Sequence, residues 1–120
     1  MTPIDCQELF FLLDGDGAII AYQELEQPWA GALAFSSEES ARNFVRVSHV
    51  EAAEIVSVGA KDHPDLRALI AALKRRPIRY LLLDLDYRTG SCRQVEFEGD
   101  ELGSTRERHF VNPREEPGTE

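Results

Sequence analysis

The chain has 120 residues, 42% hydrophobic and 29% charged, a balance that fits one globular domain and favours neither a disordered chain nor a membrane protein. Its 22 acids against 13 Lys and Arg leave a formal net charge of −9, so most of its surface repels a phosphate backbone and nucleic acid is set aside as a partner. No apolar run reaches the roughly 20 residues of a membrane span, and Met1-Thr2-Pro3-Ile4-Asp5 lacks the basic and apolar regions of a signal peptide, so the expected location is the cytoplasm, with no membrane contact.

The first element is the apolar run Leu9-Phe10-Phe11-Leu12-Leu13, followed by Asp14-Gly15-Asp16-Gly17 and Ala18-Ile19-Ile20-Ala21-Tyr22. Strand, tight turn and strand follow, predicting an opening β-hairpin. Residues 24–31 lose apolar periodicity and contain Pro28 and Gly31, which predicts a loop with Trp29 as its one large apolar group. A third strand is predicted at Leu33-Ala34-Phe35.

Ser36 and Glu39 have the spacing of a reciprocal cap, predicting a helix start there. Ala41, Phe44 and Val45 then share one helical face, while Arg42, Asn43 and Arg46 face water, and the helix ends before Glu51. Ala53-Glu54-Ile55-Val56-Ser57-Val58, rich in β-branched residues, predicts a fourth strand stopping at Gly59. A second helix is marked by Asp62 as cap, Pro64 in the first turn, and Leu66, Leu69, Ile70 and Leu73 at i, i+3, i+4, i+7. Lys74, Arg75 and Arg76 suit the carbonyl end of that helix, and Pro77 forces its stop.

Arg79 to Asp86 reads as a strand covered on both faces until its end, and Arg88-Thr89-Gly90-Ser91 turns it into a last strand from Cys92 to Glu98. The prediction is therefore an α/β (α+β) domain over residues 1–100. Its mixed β-sheet has the order β-β-β-α-β-α-β-β, with two amphipathic helices packed on the sheet, parallel central pairs and antiparallel hairpins at both margins. Residues 101–120 are polar and charged with only Leu102, Phe110 and Val111 able to dock, which predicts an acidic, mobile tail.

Leu81-Leu82-Leu83-Asp84-Leu85-Asp86 with Thr89 resembles the strand-then-DxD signature of haloacid-dehalogenase-type phosphotransferases. In that family Thr stands two residues after the second Asp; here Tyr87-Arg88 intervene, and no Lys follows Asp86. Asp84 and Asp86 are therefore expected to turn the chain into its hairpin. Their remaining chemical use is to hold Mg²⁺ or a cationic group at the end of a parallel strand. Asp14-Gly15-Asp16-Gly17 departs from a calcium loop, because Ile19 and Leu25 stand where Gly and Glu are needed. Cys6, Cys92, His49, His63 and His109 have no standard ligand spacing, so no metal, catalytic set or cofactor is expected.

Lys74, Arg75, Arg76 and Arg79 offer a place for a phosphate or an acidic segment, with helix-end complementarity as the simpler account. Trp29 is either a binding anchor or a lid over the sheet edge. The candidate binding residues are thus Trp29, Asp84, Asp86, Arg75 and Arg76.

The segment Gly31-Ala32-Leu33-Ala34-Phe35-Ser36-Ser37-Glu38-Glu39-Ser40-Ala41 resembles the strand, aromatic, Thr/Ser-Ser, Glu, helix segment of the amino-terminal domain of the SseB (enhanced serine sensitivity) family. The likeness extends loosely over residues 8–98 through the element order. Where those domains carry Asn-Pro after the late strand, this chain has Asp84-Leu85-Asp86, and the family's second domain is absent. The resemblance implies a small bacterial cytoplasmic domain of regulatory or interaction type and transfers no functional residue. The expected function is a non-enzymatic protein-interaction or regulatory module, with a protein partner or a second copy in a homodimer. The alternative is a small-molecule or metal-assisted enzyme using Asp84 and Asp86, joined by Asp14 and Asp16 if the strands bring the two turns together.

Overall fold

A computed structural model of the chain describes residues 7–23, 30–52, 54–59 and 64–109. The strands are β1 (Glu8–Leu13), β2 (Ala21–Gln23), β3 (Ala30–Phe35), β4 (Glu54–Gly59), β5 (Ile78–Leu83), β6 (Ser91–Glu98) and β7 (Glu101–His109). Two helices, α1 (Glu38–Ser48) and α2 (Pro64–Arg75), interrupt them. All seven strands form one sheet in the order β4-β1-β3-β5-β6-β7, with β2 alongside β3.

Period-two alternation decides which helix each strand residue meets. Ala32, Ala34, Leu81 and Leu83 point to one face and join Leu66, Ile70 and Leu73 of α2. Leu33, Phe35, Tyr80 and Leu82 point to the other and join Ala41 and Phe44 of α1. Each helix thus covers its own face, which is why β3 and β5 are apolar at nearly every position while the outer strands are not. Burying one Leu or Ile side chain of α2 contributes about 1.5–3 kcal/mol, more than its helix propensity supplies.

The mixed sheet and the two packed helices agree with the sequence reading, and the pairings refine it. Among the described strands only β3 and β5 run parallel; no second parallel pair forms there because β1 enters between β3 and β4, antiparallel to both. The opening hairpin is reduced to one bridge, Leu13 with Ile19. Beyond it β2 pairs with β3, running the same way as β1 along the same strand. Residues 14–18 are therefore a pinched loop inside one edge of β3, and β4 takes the margin that the hairpin was expected to occupy.

At the other margin, residues 101–109, read from sequence as the start of a mobile tail, form β7. The tight turn at Gly99-Asp100 sets Glu98 opposite Glu101, and Gly99 has the positive φ of 65° that such a turn requires. Arg67 of α2 pairs with Glu101, and Lys74 Nζ donates to the Gly99 carbonyl at 2.8 Å. Composition hid this strand because its stability comes from backbone pairing, and charge at a sheet edge is how a strand avoids unwanted neighbours. Residues 110–120, Asp62 and residues 24–29 of the expected Trp29 loop lie outside the described residues, whereas Ala30 and Gly31, read as the end of that loop, open β3 and pair with β2 and β5.

The start of α1 is also shifted by one. Ser37, not Ser36, is the cap: its backbone is extended and its hydroxyl accepts the Ser40 N–H at 3.1 Å. At the far end His49 takes a left-handed φ of 62° and returns its N–H to Val45. Replacing Ser37 with Ala is expected to cost about 1 kcal/mol, read as a lower urea midpoint at unchanged slope, whereas Glu39→Gln leaves the midpoint in place.

Candidate functional site

The carboxyl ends of β3 and β5 lie side by side, and their chains depart in opposite directions: β3 feeds α1 and then β4, β5 feeds β6. Open α/β sheets place ligands at such a divergence. Here Asp84 occupies it. β5 ends at Leu83 rather than at Asp86, because Asp84 turns left-handed with φ 56°. Its N–H donates to Ala34 O at 2.8 Å. Its carboxylate accepts the Ser36 N–H at 2.8 Å and the Ser36 hydroxyl at 2.7 Å. One side chain therefore ties the parallel strands together across 48 positions of sequence, and this bond is what takes Ser36 away from the helix cap.

Asp86 works locally. Its Oδ1 accepts N–H bonds from Arg88 at 2.9 Å and Thr89 at 3.4 Å. Its own backbone closes the loop onto Ser91 and Gly90. Both aspartates thus serve the turn, by two mechanisms: one holds β3 to β5, the other shapes the entry to β6.

This loop stands as a wall between two hollows. The first, about 250 Å³, is lined by Ser40, Asn43, Phe44, Asp84, Tyr87 and Arg88. An aromatic row floors it, with Phe35 and Phe44 ring centres 5.4 Å apart and Tyr87 set edge-on to Phe44 at 6.0 Å. The second, about 580 Å³ and shallower, is lined by Cys92, Arg93, Glu107, Arg108 and His109 together with the same aspartates. Cys92, among its lining residues, is buried.

The remaining candidates are not gathered here. Arg75 and Arg76 precede β5 and Asp84 follows it, so a strand about 20 Å long separates them. The basic cluster itself diverges: Arg76 donates to Ile19 O at 3.0 Å, while Lys74 reaches the β6–β7 turn. Asp14 and Asp16 follow β1, which runs against β3 and β5, and so lie toward the opposite end of the sheet. The Asp14 Oδ1 accepts the N–H groups of Asp16 and Ala18, and Gly17 takes a φ of 82°. Among the described residues no three His, Cys, Asp or Glu side chains gather as metal ligands. Trp29, Cys6 and His63 lie outside the described residues.

The Asp84–Ser36 contact predicts a graded response. Asp84→Ala removes both acceptors and leaves the left-handed backbone, at an expected cost of about 1–3 kcal/mol. Asp84→Asn keeps an acceptor for the Ser36 N–H and tolerates that backbone, so its loss is smaller. Urea midpoints of the two variants check the order.

Comparison with family models, curated protein sequences and solved structures returned no match.

Proposed function

We propose that the chain is a non-enzymatic protein-interaction or regulatory module of the cytoplasm that binds through a sheet edge, its target a protein partner or a second copy. The observation that carries the reading is that β4 and β7, the end strands of the path β4-β1-β3-β5-β6-β7, have no further strand beside them among the described residues, nor has the outer side of the three-residue β2. An unpaired margin is a row of backbone donors and acceptors ready to add a strand. The resemblance of residues 31–41 to the SseB amino-terminal domain points to the same class. The engagement of Asp84 and Asp86 in turn and strand contacts supports it further, because those carboxylates are structural parts of the fold. No described helix is long and apolar enough to cross a membrane.

A second reading, a small-molecule or metal-assisted enzyme using Asp84 and Asp86, is favoured by one observation: the aromatic-floored cleft sits at the strand ends where α/β sheets bind ligands. Thermal unfolding with millimolar Mg²⁺ or Mn²⁺ separates the two. The interaction reading expects no shift, and expects the chain's assemblies, with copies or other proteins, to break when a charge is added to β4 or β7. A metal-dependent shift lost in Asp84→Asn, or assemblies indifferent to both margins, would replace it with the second reading.

A further inference from the structure

The two margins differ in what they can accept. β7 carries Glu101, Arg106, Glu107, Arg108 and His109 along nine residues, a pattern that discourages strand addition. β4 is Glu54-Ile55-Val56-Ser57-Val58-Gly59, with its only charge at one end. It is flat in register, pairing with β1 residue for residue from Glu54 to Gly59 without a bulge. β-branched, regular in its pairing and charged only at Glu54, β4 has neither a proline nor a bulge and little of the charge that protects β7.

Beside it lies a groove of about 440 Å³ between β4 and the outer side of α1. Its floor is Val45, Ala52 and Ile55, and its rim is Glu38 and Glu54 against Arg42 and Arg46. The rim is electrically balanced in a chain of net charge −9. Two copies repel each other over most approaches, and this surface is one where they do not.

We propose that β4 is a self-association edge, at which two copies of the chain pair β4 with β4 in antiparallel fashion and merge their sheets into one. The proposal rests on the interaction reading above and names its occupant. Opposed residues of an antiparallel pair share one hydrogen-bonding phase, so the two-fold axis passes through Val56 against its own copy or Ser57 against its own copy. In neither register does Glu54 face a second Glu54. The axis also reverses α1, so the Glu38 end of one helix lies toward the Arg46 end of the other, and the apolar strip of Val45, Ala52 and Ile55 becomes continuous across the seam. Opposite charges then flank a shared apolar centre, the arrangement that a self-complementary interface requires.

Sedimentation equilibrium on the full chain, from micromolar to near-millimolar concentration, tests this directly. The expected mass rises from 13.5 kDa toward twice that value. Ser57 is exposed, so Ser57→Glu leaves the circular dichroism spectrum unchanged while placing carboxylates in the seam, and weakens association by at least about tenfold. Arg46→Glu turns the rim acidic and weakens it in the same direction. Hydrogen exchange supplies a readout that needs no variant: the amides of residues 55–58 that face away from β1 gain protection as concentration rises, and those of β7 do not. A chain monomeric throughout, association unaltered by Ser57→Glu, or protection appearing on β7 would each overturn the proposal. A monomer that still binds another protein through β7 would sink the β4 dimer and leave the interaction reading standing.

Discussion

Gly31→Ala is expected to destabilise the chain by about 1–3 kcal/mol, an unusual cost for one methyl group in a strand. Gly31 lies in β3 beside Tyr80 of β5, on the face covered by α1. A Cβ built there meets Tyr80 Cε1 at 2.5 Å, Tyr80 Cδ1 at 2.7 Å and Leu82 Cγ at 2.8 Å. Tyr80 and Leu82 are themselves buried, so neither can swing into solvent to make room. The register shift between Ala30 and Gly31 marks the same point, where the backbones adjust so that the tyrosine ring lies over a residue without a side chain. Elsewhere Gly→Ala in a strand interior is mildly favourable, because the alanine chain loses less freedom on folding. The sign is therefore the test. A double variant with Leu82→Ala should cost less than the sum of its parts, since the space vacated by leucine receives part of the displaced ring. A urea midpoint unchanged in Gly31→Ala would mean that β3 and β5 do not approach as closely as described.

The helices were legible because their evidence is local. Leu66, Ile70 and Leu73 fall on one stripe, and all three are buried; Ala41 and Phe44 do the same for α1. β5 was legible for a related reason, since an uninterrupted apolar run has little choice except to be covered on both faces. What stayed hidden depends on partners distant in sequence. Nothing near Ser36 announces that Asp84 will claim its N–H and hydroxyl, so the capping pattern alone picked the wrong serine. Gly31 reads as a loop residue until Tyr80 is placed beside it. β7 reads as a tail because its residues are chosen for an edge, with backbone pairing to β6 supplying what side chains do not. The candidate site was legible in the same measure: Asp84 and Asp86 could be picked out as a turn pair, while the aromatic cleft between α1 and the β5–β6 loop required the packing of Phe44 on Tyr87.

Phe11→Ala is expected to have the largest effect of any single truncation proposed, about 3–5 kcal/mol, against a total stability of about 5–15 kcal/mol for a domain of ordinary size. Phe11 is fully buried and stands in β1 with Ala34 of β3 opposite it on one side and Val56 of β4 on the other. Its ring fills space in the cluster beneath α2, where Ala32 and Ala34 are too small to collapse into the gap. A cavity lined by alanines on one side stays open, and the cost approaches the top of the range. The consequence reaches the sheet margin, because β4 is joined to the sheet only through β1 among the described residues. Loosening Phe11 therefore loosens the platform on which Val56 and Ser57 would meet a second copy. Phe11→Leu, which keeps most of the volume, should recover most of the stability and, with it, self-association. If association instead survived in Phe11→Ala at full strength under conditions where the variant remains folded, β4 would be held by something other than β1, and the margin assigned to self-pairing would have to be sought elsewhere.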